Sequence, residues 1–371
     1  MNAKQMTLKP EEAAIFRLRE LYGRYGYTQY KMSKFEEYDL YVRNKSFLIS
    51  DSVITFTDTN GKLMALKPDV TLSIVKNTKP IAGQVQKVYY NENVYRVSGR
   101  SHAFREIMQT GLECLGDIDD YCLGEVLTLA KESLACISER YILDVSHLGL
   151  LSLLLDRIGI SPAGRRRLLE SLAHKSLHDA ELICREEGIA PENADLLARL
   201  NSCSGEVTSA LKKLYALLPD AEWQSAVAQF ESVLSSIPTD NVRIDFSLVS
   251  DMRYYNGIVF QGFVEGVPES ILSGGQYDRL MQRMEKRAGA VGFAVYLDRL
   301  EGLAATQRAF DVDTVLLYDE TISPKTVREA VGAYIAEGVS VTAQKSVPER
   351  LKYRRLCKVT ESGVKILEEN A

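Results

Sequence analysis

The 371-residue sequence is short of the features that commit a chain to a chemistry at first sight. No apolar run approaches the roughly 20 residues that cross a bilayer. The opening Met1-Asn2-Ala3-Lys4-Gln5 has no apolar segment of the kind a signal peptide carries. A cytoplasmic location is expected. Cysteine is sparse: Cys114, Cys122, Cys136, Cys184, Cys203 and Cys357 include no C-x-x-C pair, and the four histidines do not fall at metal-ligand spacing. Neither a disulfide framework nor a zinc site is expected, and the thiols read as reduced and mostly buried. The phosphate-cradling G-x-x-x-x-G-K-[ST] and G-x-G-x-x-G patterns, the G-x-S-x-G elbow and H-E-x-x-H are all missing. So is an excess of positive charge: the formal net charge is −5, which offers no general surface for a polyphosphate and makes nucleic acid an unexpected partner.

What is present is an apolar fraction of 46% with 26% charged residues, enough for a large core and, at this length, two domains. Pro10-Glu11-Glu12 reads as a helix start, followed by Ile15, Leu18, Tyr22 and Tyr25 at helical spacing. Residues 52–58 and 62–66 read as strands around the turn Thr59-Asn60-Gly61, 69–77 as a short helix, and 85–97 and 107–115 as a strand pair. Helices are expected over 125–141 and through a leucine- and alanine-rich block over 150–237 that lacks strand signals. Strand character resumes at Val242–Phe246 and runs through Gly257–Phe263 as a long hairpin that Gly274-Gly275 breaks. Val291–Val295 is a last strand leading to a helix from Leu297. Beyond Ala309 the order is strand, helix, strand, a short helix and a hairpin, an α/β pattern. The basic run Lys345 to Arg355, interrupted by Glu349, reads as a solvated helix face.

The chemistry-bearing residues sit in two stretches. In residues 87–116, Arg96 lies on one strand while Gln109 and Glu113, four apart, share one face of the returning strand. An arginine for a carboxylate and an acid for an ammonium would receive a small zwitterion. A solvated polar face accounts for the same pattern, and the residues alone leave both open. In residues 248–300, Tyr254-Tyr255 precede a turn glycine and Gly274-Gly275 imply a bulge or a close backbone approach.

In order and spacing, over about residues 8–300, these pieces resemble the histidyl-tRNA synthetase family, which includes non-synthetase relatives. Motif 1 of the class II fold corresponds loosely to the region from Phe35 to Thr57. The family's L-R-P-E-x-T segment reads Leu66-Lys67-Pro68-Asp69-Val70-Thr71, and motif 2 runs from Val94-Tyr95-Arg96 to Glu113. The histidine-specific box, L-V-R-G-L-D-Y-Y-T-G, reads Leu248 to Gly257, and motif 3 runs from Gly292 to Leu300. The resemblance implies an α+β fold, a class II synthetase-like antiparallel sheet flanked by helices. It implies a domain over residues 1–305 with a helical insertion at about 150–238, and a truncated anticodon-binding-like α/β module over 310–371. Carried across position by position, it makes Asp69, Thr71, Arg96, Gln109, Glu113, Tyr254 and Tyr255 the histidine-binding residues, with aspartate in place of glutamate at 69.

The nucleotide side of the family's site departs from the pattern. Ser250 stands where synthetases carry an arginine, a loss that typically costs about 3 to 4 kcal/mol of transition-state stabilisation. Ser98 replaces the glutamate of R-x-E, and Tyr296 replaces a glycine, while Arg299 is kept. This profile is that of the family's regulatory branch. The resemblance therefore implies a non-catalytic regulatory subunit of ATP phosphoribosyltransferase, acting in the first step of histidine biosynthesis. Its expected partners are the short-form catalytic subunit, histidine as effector and a second copy in a homodimer core within a hetero-oligomer; no cofactor is expected. A divergent histidyl-tRNA synthetase, or a histidine- or tRNA-binding factor with another partner, are the competing readings.

Overall fold

The computed structural model describes residues 9–45, 48, 53–97, 103–249, 254–300 and 310–370. It divides into two compact units, Glu11–Leu300 and a second made of Met1–Pro10 with Glu301–Ala371.

The first unit is built on a nine-stranded mixed sheet. Its spine is the antiparallel pair β5 (Val85–Val97) and β6 (Phe104–Gly116), thirteen residues each. The valines and tyrosines of β5 suit a pleated surface, and Gly116 with φ 134° ends β6 in a conformation other residues rarely adopt. In sheet order the strands are β1 (Thr28–Gln29), β5, β6, β12 (Gly289–Tyr296), β11 (Leu272–Gln276), β10 (Ile258–Val264), β7 (Tyr141–His147), β9 (Val242–Ile244) and β8 (Gly205–Glu206). Helices α1 (Pro10–Arg24) and α4 (Asp120–Ile137) meet through Tyr22, whose hydroxyl lies 3.0 Å from Ser133 Oγ. Asp119 starts α4 by accepting the Cys122 N–H at 2.9 Å. A separate three-stranded sheet in the order β2 (Phe35–Glu37), β4 (Leu63–Leu66), β3 (Thr55–Thr57) carries α2 (Tyr38–Arg43) and leads into α3 (Thr71–Asn77).

Six helices occupy the leucine-rich block: α5 (Leu148–Arg157), α6 (Pro162–Ala173), α7 (Leu177–Glu186), α8 (Pro191–Ser202), α9 (Val207–Leu217) and α10 (Ala221–Ser235). Their starts are encoded locally. Ser161, Ser176, Glu206 and Asp220 each accept backbone N–H groups of the first turn, and prolines stand at the starts of α6 and α8.

Several sequence expectations are corrected here. The helix expected to reach Tyr141 stops at Ile137, and Tyr141 opens β7, whose residues Leu143 to His147 are buried and whose apolar run is too short to separate helix from strand. The block thought free of strands contains β8. Val242 and Phe263 do not belong to one hairpin: β7 lies between β9, parallel to it, and β10, antiparallel to it. Gly274-Gly275 do not end a strand but sit inside β11, where an added Cβ on either would collide with neighbouring strands.

In the second unit, β14 (Val341–Gln344), β13 (Val312–Leu317), β15 (Tyr353–Thr360) and β16 (Gly363–Glu369) form a mixed sheet in that order. The helix α12 (Pro324–Ala336), capped by Ser323, packs on it over Leu316, Cys357 and Val359. α11 (Asp278–Arg283) belongs to the first unit. No helix follows β14 among the described residues, so the basic run is not a helix face. Three of its charges are paired: Arg355 with Glu369 at 2.7 Å, Lys345 with Glu320 at 3.4 Å, Arg354 with Asp313 at 3.8 Å.

Candidate functional site

The start of α3, strands β5, β6, β11 and β12, and the tyrosine pair before β10 enclose a cavity of about 320 Å³. Strand alternation decides what reaches it. Gln109 and Glu113 lie on one face of β6, both buried, and across the ladder they stand opposite Tyr296 and Gly292 of β12. A Cβ on Gly292 would overlap the Glu113 carboxylate, so that glycine makes the space in which the acid lies. Gly275 does the same for the tyrosine pair: a Cβ there would stand 2.8 Å from Tyr255 Cδ1.

Hydroxyls hold Glu113. Thr71 Oγ1 donates to its Oε1 at 2.6 Å, and the Tyr277 hydroxyl donates to its Oε2. Complete burial nevertheless pushes Glu113 up to about 8; the two hydroxyls pull it down, and the neighbouring Asp69 adds to the rise. Asp69 is raised by burial too, against the pull of the Leu72 N–H, which its Oδ1 accepts at 2.8 Å, and of the Arg96 charge. Arg96, half-buried, is oriented by donating from Nε to the Pro68 carbonyl at 3.1 Å. Gln109 Nε2 is buried with no hydrogen-bond partner among the described residues. The aromatic wall is mutually packed, with Tyr254 centred 4.6 Å from Tyr255 and 5.7 Å from Tyr277.

All seven sequence-derived candidates, Asp69, Thr71, Arg96, Gln109, Glu113, Tyr254 and Tyr255, thus line one cavity. Sequence reasoning passed over Tyr277, which holds Glu113, and Tyr90, whose ring lies against Gly111. Tyr277 comes two residues after Gly274-Gly275, but one tyrosine among 19 before a six-residue helix carries little signal of its own. Of the nucleotide-side departures, Tyr296 lines the cavity, while Ser98 and Ser250 lie outside the described residues.

Chemically, two buried acids, Glu113 held by hydroxyls and Asp69 by a backbone N–H, beside an arginine and an unpaired amide donor, suit a group that brings a positive charge together with a carboxylate. A buried polar group without a partner costs about 1 to 3 kcal/mol, which an acceptor on the ligand would recover at the Gln109 amide donor and an ammonium at the acids. Among the described residues no group of three or more histidine, cysteine or acidic side chains is placed to hold a metal ion.

Residues 4–300 match the family described as Histidyl-tRNA synthetase. Among curated relatives, the ATP phosphoribosyltransferase regulatory subunit of Oceanobacillus iheyensis is 25% identical over 81% of this chain and 76% of its own. The histidine–tRNA ligase of Methanocaldococcus jannaschii is 28% identical over 76% of this chain and 69% of its own. Among solved structures, an ATP phosphoribosyltransferase regulatory subunit/histidyl-tRNA synthetase from Bacillus halodurans superposes with a TM-score of 0.72 at 23% identity, covering 94% of this chain and 93% of that one. An ATP phosphoribosyl transferase (HisG:HisZ) complex from Thermotoga maritima gives 0.60 at 19% identity, covering 77% and 97%.

Proposed function

The chain belongs to the histidyl-tRNA synthetase family, and from that premise we propose that it is the regulatory, non-catalytic subunit of an ATP phosphoribosyltransferase, sensing free histidine in the cavity around Glu113. The observation that carries the reading is the cavity's chemistry. Asp69 and Glu113 receive the ammonium, Arg96 the carboxylate, Gln109 and the tyrosine wall the side chain. Support for the regulatory role comes from relatives named as regulatory subunits, and for a catalytic partner from the HisG:HisZ neighbour.

In this role the chain does not transfer phosphoribose. It binds the short catalytic subunit, activates it and conveys feedback inhibition by histidine. Histidine does so by favouring one arrangement of the heteromer, with a coupling of about 1 to 3 kcal/mol. A homodimer core is part of the proposal. The motif 1 region exposes Phe35 and Phe56 on one face of the small sheet, in edge-to-face contact at 5.7 Å, an apolar patch suited to a second copy. Residues 310–371 serve as a shortened anticodon-binding-like module whose paired basic side chains favour a protein over RNA.

The test is to combine the purified chain with a short-form catalytic subunit and follow phosphoribosyl-ATP. The proposal expects turnover to rise on addition of the chain and to fall when histidine is added. Unchanged turnover with no histidine sensitivity overturns it. The competing synthetase reading, favoured by relatives named as histidine–tRNA ligases, predicts histidine-dependent pyrophosphate exchange instead.

A further inference from the structure

A second cavity of about 290 Å³ shares Arg96 and Tyr296 with the first and is otherwise walled by groups such as Arg105, Glu269, Asp298 and Arg299. Tyr296 ends β12 opposite Gln109, so the sheet fixes its backbone. Its ring is fixed from the other side, where the Arg299 guanidinium lies 4.4 Å from the ring centroid. That guanidinium is itself tethered: Nη1 donates to the Ser270 carbonyl, and Nε faces the Glu269 carboxylate at 3.4 Å. An aromatic ring held between a sheet and an anchored arginine therefore stands in the wall the two cavities have in common. In the second cavity Arg96, Arg105 and Arg299 outnumber Glu269 and Asp298, a balance that favours anionic groups, phosphate above all.

We infer that Tyr296 is a specificity-determining partition, confining the ligand to a free amino acid in the first cavity and excluding one whose carboxylate is extended as an acyl phosphate into the second. The inference rests on reading the first cavity as a histidine site. The side of the arginine-lined cavity nearest Arg96 is where an extended carboxylate would have to pass, and the ring can yield only by leaving its stack on Arg299. The device thus gives a sensor that responds to the amino acid itself and ignores its activated, adenylated form.

The full chain, Tyr296→Ala and Arg299→Met are titrated by calorimetry with histidine, with magnesium-ATP and with a non-hydrolysable sulfamoyl analogue of histidyl-adenylate. The unaltered chain is expected to bind histidine and not the analogue. Tyr296→Ala joins the cavities and is expected to bind the analogue at least about tenfold more tightly than histidine, since one ligand then engages two sites. Arg299→Met keeps the ring but releases its anchor and gives a smaller gain. Analogue binding to the unaltered chain as tight as histidine overturns the inference whatever the variants do, as does the absence of any gain in both variants. Failure of histidine to bind the unaltered chain sinks the histidine reading instead; a gain in magnesium-ATP binding by Tyr296→Ala would still support the partition in that case.

Discussion

At Glu113, two hydroxyls stand where a cation would ordinarily meet a buried acid. With its folded-state value pushed up to about 8 from an ordinary carboxylate value near 4.5, the group holds a proton in the empty folded chain that the unfolded chain has already released. Stability from this group is therefore full at low pH and falls as pH rises from about 4.5 to 8. Glu113→Gln, which cannot ionise, is expected to flatten that decline in chemical unfolding measured at pH 5 and pH 8; an unchanged slope would refute the assignment. Binding of an ammonium reverses the preference and expels the proton. Calorimetry of histidine at pH 7 in buffers of different ionisation enthalpy should then register release of close to one proton, and none in Glu113→Gln. Tyr277→Phe removes a hydroxyl donor and is expected to cost about 1 to 3 kcal/mol of stability while raising Glu113 further. Gly292→Ala drives a methyl into the Glu113 carboxylate and is expected to weaken histidine binding by at least about tenfold, the equivalent of 1.4 kcal/mol.

At the scale of elements, legibility followed periodicity. The strand pair β5 and β6, α1 and α3 emerged in type and place, with β6 starting at Phe104 rather than 107 and α3 at Thr71 rather than 69, because alternation and helical spacing are local. The candidate residues Gln109 and Glu113 were legible for the same reason, whereas bringing them to Asp69 and Tyr255 took the family resemblance, since nothing local encodes a contact across 140 residues of chain. What failed was β7 and everything paired to it. Leu143 to His147 are buried on both faces and lose the alternation that marks a strand, and the β9–β7–β10 order depends on pairings distant in sequence. At the end of β7, His147 Nδ1 accepts the Leu150 N–H at 3.1 Å and starts α5. Burial pushes His147 down to about 4, so it is neutral when folded. The stability this arrangement provides is complete above about 6.5, the unfolded value, and is lost as pH falls through 4. His147→Asn, which retains a capping acceptor, is expected to remove most of the acid sensitivity between pH 6.5 and 4 in thermal melts; unchanged sensitivity would contradict that role.

For the whole molecule, the family's α+β class II fold is retained. The proposal turns on how its central cleft is furnished: an amino-acid end with buried acids awaiting a cation, and a far end closed by an aromatic ring stacked on arginine. Such a cleft suits a protein that must register an amino acid without consuming it, and a regulatory partner of an enzyme that makes histidine is a place where that property has a use. The most direct test is a calorimetric titration of the intact chain with L-histidine at neutral pH. The account predicts saturable binding of one histidine per chain that disappears in Glu113→Ala; no heat up to millimolar histidine, or binding indifferent to Glu113, would contradict it.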